Sequence, residues 1–243
     1  CCEHTSVDKA ADFKMKPVKF EENSALKKLV RYDRLDKTHP AYEFITRRKI
    51  PEEHLDKLFF CPKFYKWVNG IIPKKLPTKN DHPRVIIPFY DRSGKFFAFQ
   101  GRAFGQEQPK YVTIKLDDSK EKIYGLDRLD LNKPVNIVEG PIDSLFLDNC
   151  IAMAGADISL KIPSDQCTMI FDNEPRNEQI VNRMINAVHK NYKVVIFPES
   201  LKYKDINDMV IHKNEVGDVS KLIYNNRQNG LAALQSINKW KRI

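Results

Sequence analysis

The stretch VNIVEGPIDSLFLDN, residues 135–149, decides how this chain is read. Val135 to Val138 is apolar enough for a buried strand, and it stops abruptly at Glu139-Gly140-Pro141, with Asp143 one helical turn beyond. A carboxylate at the end of a buried strand is costly unless something there holds it. Gly140 would let backbone approach closely, and Pro141 would stiffen the start of a helix. Glu139 and Asp143 therefore ask for a function.

Working outward, the same alternation continues. IDSLFLDNC (142–150) predicts a helix with Ile142, Leu145, Phe146 and Cys150 on one side, and IAMAG (151–155) a short strand. TMIFDNE (168–174) reads as a strand, RNEQIVNRMINAVHKNY (176–192) as an amphipathic helix, KVVIFPE (193–199) as a strand, and DINDMVIHK (205–213) opens a helix. Strand–helix alternation with near-continuous apolar strands predicts an α/β fold, a parallel sheet covered on both faces. In such sheets ligands gather beyond the carboxyl ends of the strands. Acids recur there: Glu139 and Asp143, then Asp172 and Glu174, then Asp205 and Asp208.

Three neighbouring strand ends would bring six carboxyls to one rim, where they repel one another. A divalent cation is the simplest relief, and donors that are all oxygen favour magnesium or manganese over zinc. Phosphoryl transfer uses such ions. Taken singly, Asp143 is equally an early-turn acid favoured by the helix dipole, and Asp205 equally an N-cap. The recurrence at successive strand ends favours the cation site.

The front of the chain has another character. Residues 1–30 lack a sustained period and read as an arm or linker. HPAYEFITRRKIPEEHLDKLFF (39–60) predicts two short helices, with Pro40 and Pro51 at first turns. CPKFYKWVNGIIPKK (61–75) interleaves Phe64, Tyr65 and Trp67 with lysines; such aromatics can stack on bases, but the core is their commoner place. RVIIPFYDRSGKFFAFQGRAF (84–104) predicts a hairpin, strands Val85–Tyr90 and Phe96–Gln100 joined through Asp91-Arg92-Ser93-Gly94. Basic residues recur beside it at Arg84, Arg102, Lys110 and Lys122.

The formal net charge of +9 is unevenly spread. From Lys16 to Lys79 there are 16 Lys and Arg against 8 Asp and Glu; from Glu139 to Asp208 there are 7 against 11. A basic front suits a polyanion and an acidic back suits divalent cations, although ordinary solvated surface accounts for charge alone equally well. A hydrophobic fraction of 42% supports a real core, and no apolar run reaches membrane-spanning length. No secretory signal is read in the first residues, and a first residue other than Met suggests numbering that starts inside a longer product. Five cysteines without regular spacing argue for a reducing compartment. Cys1, Cys2 and His4 read as terminal residues ahead of the alternative, remnants of an upstream metal site.

At this point the motifs carry a resemblance. VEGPIDSLFL, FDNE and KDINDMV resemble the three acidic motifs of a Toprim domain, a Rossmann-like parallel sheet. The hairpin segment, PKYVTI and KIYGLDRL resemble the basic subdomain of bacterial-type DNA primases, and AYEFITRRKIPEEHLDKLFF its helical entry. Within that family, EGPIDSLF, DNEPR, KDINDM and the final GLAALQSINKWKRI are most similar to primases of T-even-type bacteriophages. The resemblance covers about residue 30 to the end. It implies an arm over 1–30, a basic α+β subdomain over 31–130, a Toprim domain over 131–215 and a helical segment over 216–243.

It further implies a DNA-directed RNA polymerase, a nucleotidyltransferase that makes short RNA primers on single-stranded DNA for replication. Its cofactors would be two or more magnesium or manganese ions. Its partners would be the template, ribonucleoside triphosphates, a replicative helicase and a separate zinc-binding module, with no membrane; its location would be cytoplasmic, in a host if viral. Glu139 would be a metal ligand or general acid/base, Asp143 its metal or supporting partner, and Asp172, Glu174, Asp205 and Asp208 the other acidic groups. Glu139, Asp143 and Asp172 would be catalytic. Arg84, Arg102, Lys110 and Lys122 match positions for template or nucleotide phosphates. Two departures stand out: Asp172-Asn173-Glu174 replaces the Asp-x-Asp of many Toprim domains, and the zinc ribbon that the family places before this core is not in this chain. The competing readings are a Toprim-type metal-dependent nuclease and a non-catalytic adaptor for DNA and a helicase.

Overall fold

A computed structural model of the chain describes residues 25–154 and 162–243. The expectations for Cys1, Cys2, His4 and most of the amino-terminal arm lie outside those residues. The front half is built on an antiparallel sheet of order β1-β2-β3-β4-β5. Its strands are β1 (Val30–Arg31), β2 (Phe59–Cys61), β3 (Arg84–Tyr90), β4 (Phe96–Ala103) and β5 (Tyr111–Lys115), with α1 (Pro40–Arg48) and α2 (Phe64–Ile71) between them. Pro40 starts α1 where a missing N–H costs nothing, the His39 ring accepts from the Ala41 amide, and Lys49 closes the helix in the left-handed region. The β3–β4 hairpin turns as expected: Asp91 Oδ1 accepts from the amides of Ser93 and Lys95, and Gly94 takes a φ of 79°.

Side-chain alternation along β3 separates two cores. Val85, Ile87 and Phe89 face a core shared with α1 and with the back half, whereas Ile86 joins Phe64, Val68 and Phe99 in an outer core beneath α2. The aromatics among the lysines are thus core residues. Gly101 on β4 sits directly against one of them: a Cβ there would lie 2.4 Å from Phe64 Cε2. Phe64 is fully buried and cannot swing clear. Gly101→Val is expected to destabilise by about 3 kcal/mol, a fall of about 6–12 °C in Tm for a chain of this size; calorimetry checks it.

The back half carries a sheet of order β10-β9-β8-β6-β7, in which β6 (Val135–Val138), β7 (Cys150–Ala152), β8 (Cys167–Ile170) and β9 (Lys193–Val195) run parallel. A short β10 (Arg227–Gln228) pairs antiparallel at the β9 edge. Its helices are α3 (Glu178–His189), α4 (Ile206–Ile211), α5 (Lys213–Val216), α6 (Val219–Asn226) and α7 (Gly230–Trp240). Val135, Ile137, Ile151 and Met169 face α3 and α7; Val138, Ala152, Ile170 and Val195 face α4, α6 and the front half. The sheet is therefore buried on both faces, and the α/β class read from the alternation holds.

Two local readings are corrected. Residues 142–150 do not form a helix: one 3-10 turn, Asp143–Phe146, is followed by an extended Leu147. The chain must reverse at once to start β7 at Cys150 opposite Asn136, and Asn149 makes the bend with a φ of 44° while its side-chain amide donates to the carbonyls of Asp130 and Pro134. The second front helix is only a 3-10 segment, Glu52–Lys57. FFC, its apolar end, is drawn into the sheet as β2, paired Phe59 to Ile86. The cysteines among the described residues, Cys61, Cys150 and Cys167, are free and buried, and no described helix is long and apolar enough to cross a membrane.

Candidate active site

β6, β8 and β9 are neighbours, so their carboxyl ends open onto one side. The parallel register pairs Val138 with Ile170, which sets Glu139 level with Phe171 and puts Asp172 one residue further out. After β9 the chain wanders through residues 198–204 before α4. Asn173 ties that loop down: its amide donates to Lys204 O at 2.6 Å and its side chain to the carbonyls of Leu201 and Tyr203. This brings Asp205 beside Asp172. Asp205 also caps α4, accepting from the Asp208 amide at 2.7 Å. Asp143, in the 3-10 turn, accepts from the Asn207 amide at 2.9 Å.

Glu139, Asp143, Asp172 and Asp205 line one cavity of about 430 Å³. The opposite wall comes from the antiparallel sheet: Gln100 on β4, Tyr111 and Thr113 on β5, and Lys110 just before it, with Lys204 at the rim. Gln100 is held by Thr113 Oγ1 at 3.1 Å. The acids are charged against one another. Burial and then the carboxylates of Glu139, Asp143 and Asp205 push Asp172 up to about 7. Burial and then Asp205 raise Asp143, opposed by the Asn207 amide and Arg48. Burial raises Glu139, opposed chiefly by Arg183. Burial, then the neighbouring cations Arg102 and Arg48, lowers Lys110.

Of the six acids expected on the rim, four meet. Glu174 turns aside: its own amide bonds back to Asp172 O, and its carboxylate takes Lys204 Nζ at 2.9 Å and Asn177 Nδ2 at 3.3 Å. Asp208 follows the helix of α4 away from the cavity. Among the described residues no three acidic, imidazole or thiol groups form a ready-made cage for an ion.

The four basic positions divide as well. Lys110 lines the cavity. Arg84 does not: it is fully buried, donates to the carbonyls of Gly101, Pro109 and Lys110, and lies 5.1 Å from the Phe64 ring centroid. It shapes the loop that presents Lys110, and the expectation of a phosphate contact for it is corrected on that ground. Arg102 is 3% exposed, donates to Ala103 O and Tyr111 OH, and stacks 4.5 Å from Phe44, so it backs the wall from behind. Lys122 is half-buried and is not among the lining side chains.

Sequence reading missed several residues. Arg183 on α3 pairs with Glu139 and lies over Phe171. Lys204 reaches Glu174 and, at 3.8 Å, Asp172. Asn207 and Arg48 bond to each other from opposite halves. Lys204 and Asn207 had a local signal, their places beside Asp205 and Asp208; Arg183 is joined to Glu139, and Arg48 to Asn207, by packing across 44 and 159 positions.

The donor set fits hard divalent cations. Magnesium is usually held by one or two carboxylates, water and substrate phosphates, not by a closed protein cage, and four carboxylates lining one cavity leave room for that arrangement. Gly140 is part of it: a Cβ there would lie 2.5 Å from Asp143 Oδ2. Gly140→Ala is expected to displace that carboxylate and lower turnover about 10²-fold, with melting changed little; steady-state kinetics beside a thermal melt checks it.

A DNA primase of Enterobacteria phage T4 is 34% identical to this chain over 224 residues, 90% of this chain and 65% of that protein. A DNA primase of Thermotoga maritima is 26% identical over 163 residues, 59% of this chain and 28% of its own length. The chain thus spans less than two thirds of either relative. Among solved structures, the RNA polymerase domain of Mycobacterium tuberculosis primase in complex with a double-stranded DNA oligomer with a 6-nucleotide overhang superposes with a TM-score of 0.61 at 15% identity, covering 88% of this chain and 80% of that one. The zinc binding and RNA polymerase domains of Aquifex aeolicus primase give 0.56 at 17% identity, covering 84% and 62%. At those identities the structures speak for the fold. No family model matches the chain.

Proposed function

We propose that this chain belongs with the bacterial-type DNA primases and synthesises short RNA primers on a single-stranded DNA template by metal-dependent nucleotidyl transfer; its 34% identity to the phage T4 primase and its fold support the reading. The observation that carries the reading is the single cavity in which Glu139, Asp143, Asp172 and Asp205 face Lys110 and Lys204. It is a site for a polyanion and the cations that accompany it.

In the reaction the 3′-hydroxyl of the growing primer attacks the α-phosphorus of an incoming ribonucleoside triphosphate, the bond to the β-phosphate oxygen breaks, and pyrophosphate leaves. Magnesium or manganese ions held by Glu139, Asp143, Asp172 and Asp205 would activate the attacking oxygen and neutralise charge on the leaving one. The protein supplies the rest. Lys110, on the wall from the antiparallel sheet, and Lys204, beside Asp172, are placed to meet phosphate oxygens in the cavity. Gln100 and Thr113, locked to each other, form a fixed polar floor of the same cavity. Glu139, at the end of β6, is assigned the hydroxyl proton. Arg102, packed between Phe44 and Tyr111, holds the wall that carries Lys110. Template recognition, a helicase contact and a zinc-binding module in trans are part of the same reading.

The test is incorporation of labelled ribonucleotides on single-stranded DNA with magnesium, assayed with and without an added helicase and zinc module. Products of primer size support the proposal. Release of nucleotides from the DNA without ribonucleotides present would favour a nuclease instead, and unchanged priming after Glu139→Ala would favour a non-catalytic adaptor.

A further inference from the structure

We infer that Asn207 and Arg48 form a positioning pair that sets Asp143 in the acid cavity and fixes the register between the acidic and basic walls. The inference rests on the reading above, since it gives these residues a task in that site.

Asn207 is 1% exposed, and a buried side-chain amide needs partners at both ends. It finds both in one residue of the other half of the molecule: Nδ2 donates to Arg48 O at 2.7 Å, and Oδ1 accepts from Arg48 Nη1. The backbone amide of the same Asn207 donates to Asp143 Oδ1 at 2.9 Å. Asn207 lies in the first turn of α4, and Arg48 ends α1. One residue therefore holds the acid with its backbone and the front half with its side chain.

Arg48 continues the connection. Its guanidinium carbon lies 5.1 Å from the centroid of Phe44, and that of Arg102 lies 4.5 Å from the same ring. Arg102 in turn touches Tyr111, a wall residue of the cavity. A chain of contacts thus runs from Asp143 through Asn207, Arg48, Phe44 and Arg102 to the wall that carries Lys110. Neither Asn207 nor Arg48 lines the cavity, so both act through other residues. Contact alone does not establish coupling; a double-mutant cycle does. A second tie between the same helices, Lys49 Nζ to Ile211 O at 2.8 Å, touches none of the acids and serves as the control.

The experiment measures manganese affinity by electron paramagnetic resonance of the free ion for the wild type, Asn207→Ala, Arg48→Lys, the double variant and Lys49→Met. Arg48→Lys keeps the charge and loses the fork, so electrostatic attraction is preserved while the geometry is cut. Circular dichroism confirms folding, and Arg48→Lys keeps the test open should Asn207→Ala fail to fold. The expected result is that each single variant weakens manganese binding about tenfold, and the double variant no further. In priming, kcat falls and KM for nucleotide stays within about twofold. Lys49→Met binds as the wild type does. If the wild type binds manganese and the folded variants bind equally well, or their losses add, the positioning pair is refuted and the primase reading stands. If the wild type neither binds manganese nor makes primers, the reading fails and takes the pair with it.

Discussion

Glu139→Gln is expected to lower primer synthesis about 10³-fold while leaving the fold and single-stranded DNA binding in place. Glu139 follows β6, which has parallel neighbours on both sides, and its carboxylate lies among three others in one cavity. Glutamine keeps the size and one acceptor oxygen but has no charge with which to hold a divalent ion or take a proton. Losing one electrostatic contact of this kind typically costs 10²–10³-fold in turnover, and a residue serving as both ligand and base stands at the upper end. The half-buried Arg183 guanidinium loses its ion pair but keeps the face of Phe171, so the Tm is expected to move by no more than about 2 °C. Labelled nucleotide incorporation, a DNA-binding isotherm and a thermal melt give the three readouts. Turnover within tenfold of wild type would remove Glu139 from the reacting groups.

Asp172→Asn is expected to cost about 10²–10³-fold in activity and, in the presence of a chelator at pH 8, to make the protein more stable by about 1–2 kcal/mol. The opposite signs share one cause. Burial and three neighbouring carboxylates push Asp172 up to about 7, whereas an unfolded aspartate titrates near 4. Between those values the folded chain binds more protons than the unfolded one, so stability falls as pH rises through the window. Below about pH 4 aspartate and asparagine are both neutral there, and the two proteins should melt alike. Above about pH 7 the wild type carries a charge that the fold disfavours, and the variant should melt about 3–6 °C higher. Magnesium should narrow that gap by stabilising the wild type. Melting curves from pH 4 to 8, with chelator and with magnesium, test the argument; a gap that shrinks as pH rises would contradict it.

These experiments bear on residues that stood out in the linear chain. Val135–Val138, Cys167–Ile170 and Lys193–Val195 announced strands because a strand buried on both faces must be apolar along its length, which is a local property. The acids were visible for the same reason: Glu139 and Asp172 interrupt those runs where a core strand would tolerate no charge. The β3–β4 hairpin was legible from Asp91 and Gly94, whose turn chemistry acts within five residues. Residues 142–150 misled because apolar spacing at helical intervals occurs equally in a turn leading into a buried strand, and only the pairing of Cys150 with Asn136 decided between them.

Periodicity and strand-end chemistry, both read over a few neighbouring residues, were sufficient for the α/β class and for the acids as a group. Which acids meet was settled by packing: Asn173 draws Asp205 to Asp172, while Lys204 holds Glu174 aside. Packing also turned Arg84 from a phosphate ligand into a buried prop, and joined Arg183 to Glu139 and Arg48 to Asn207. A counter-charge or hydrogen-bond partner is chosen by proximity in space after two sheets have packed together, and no spacing along the chain encodes a contact made across 159 residues.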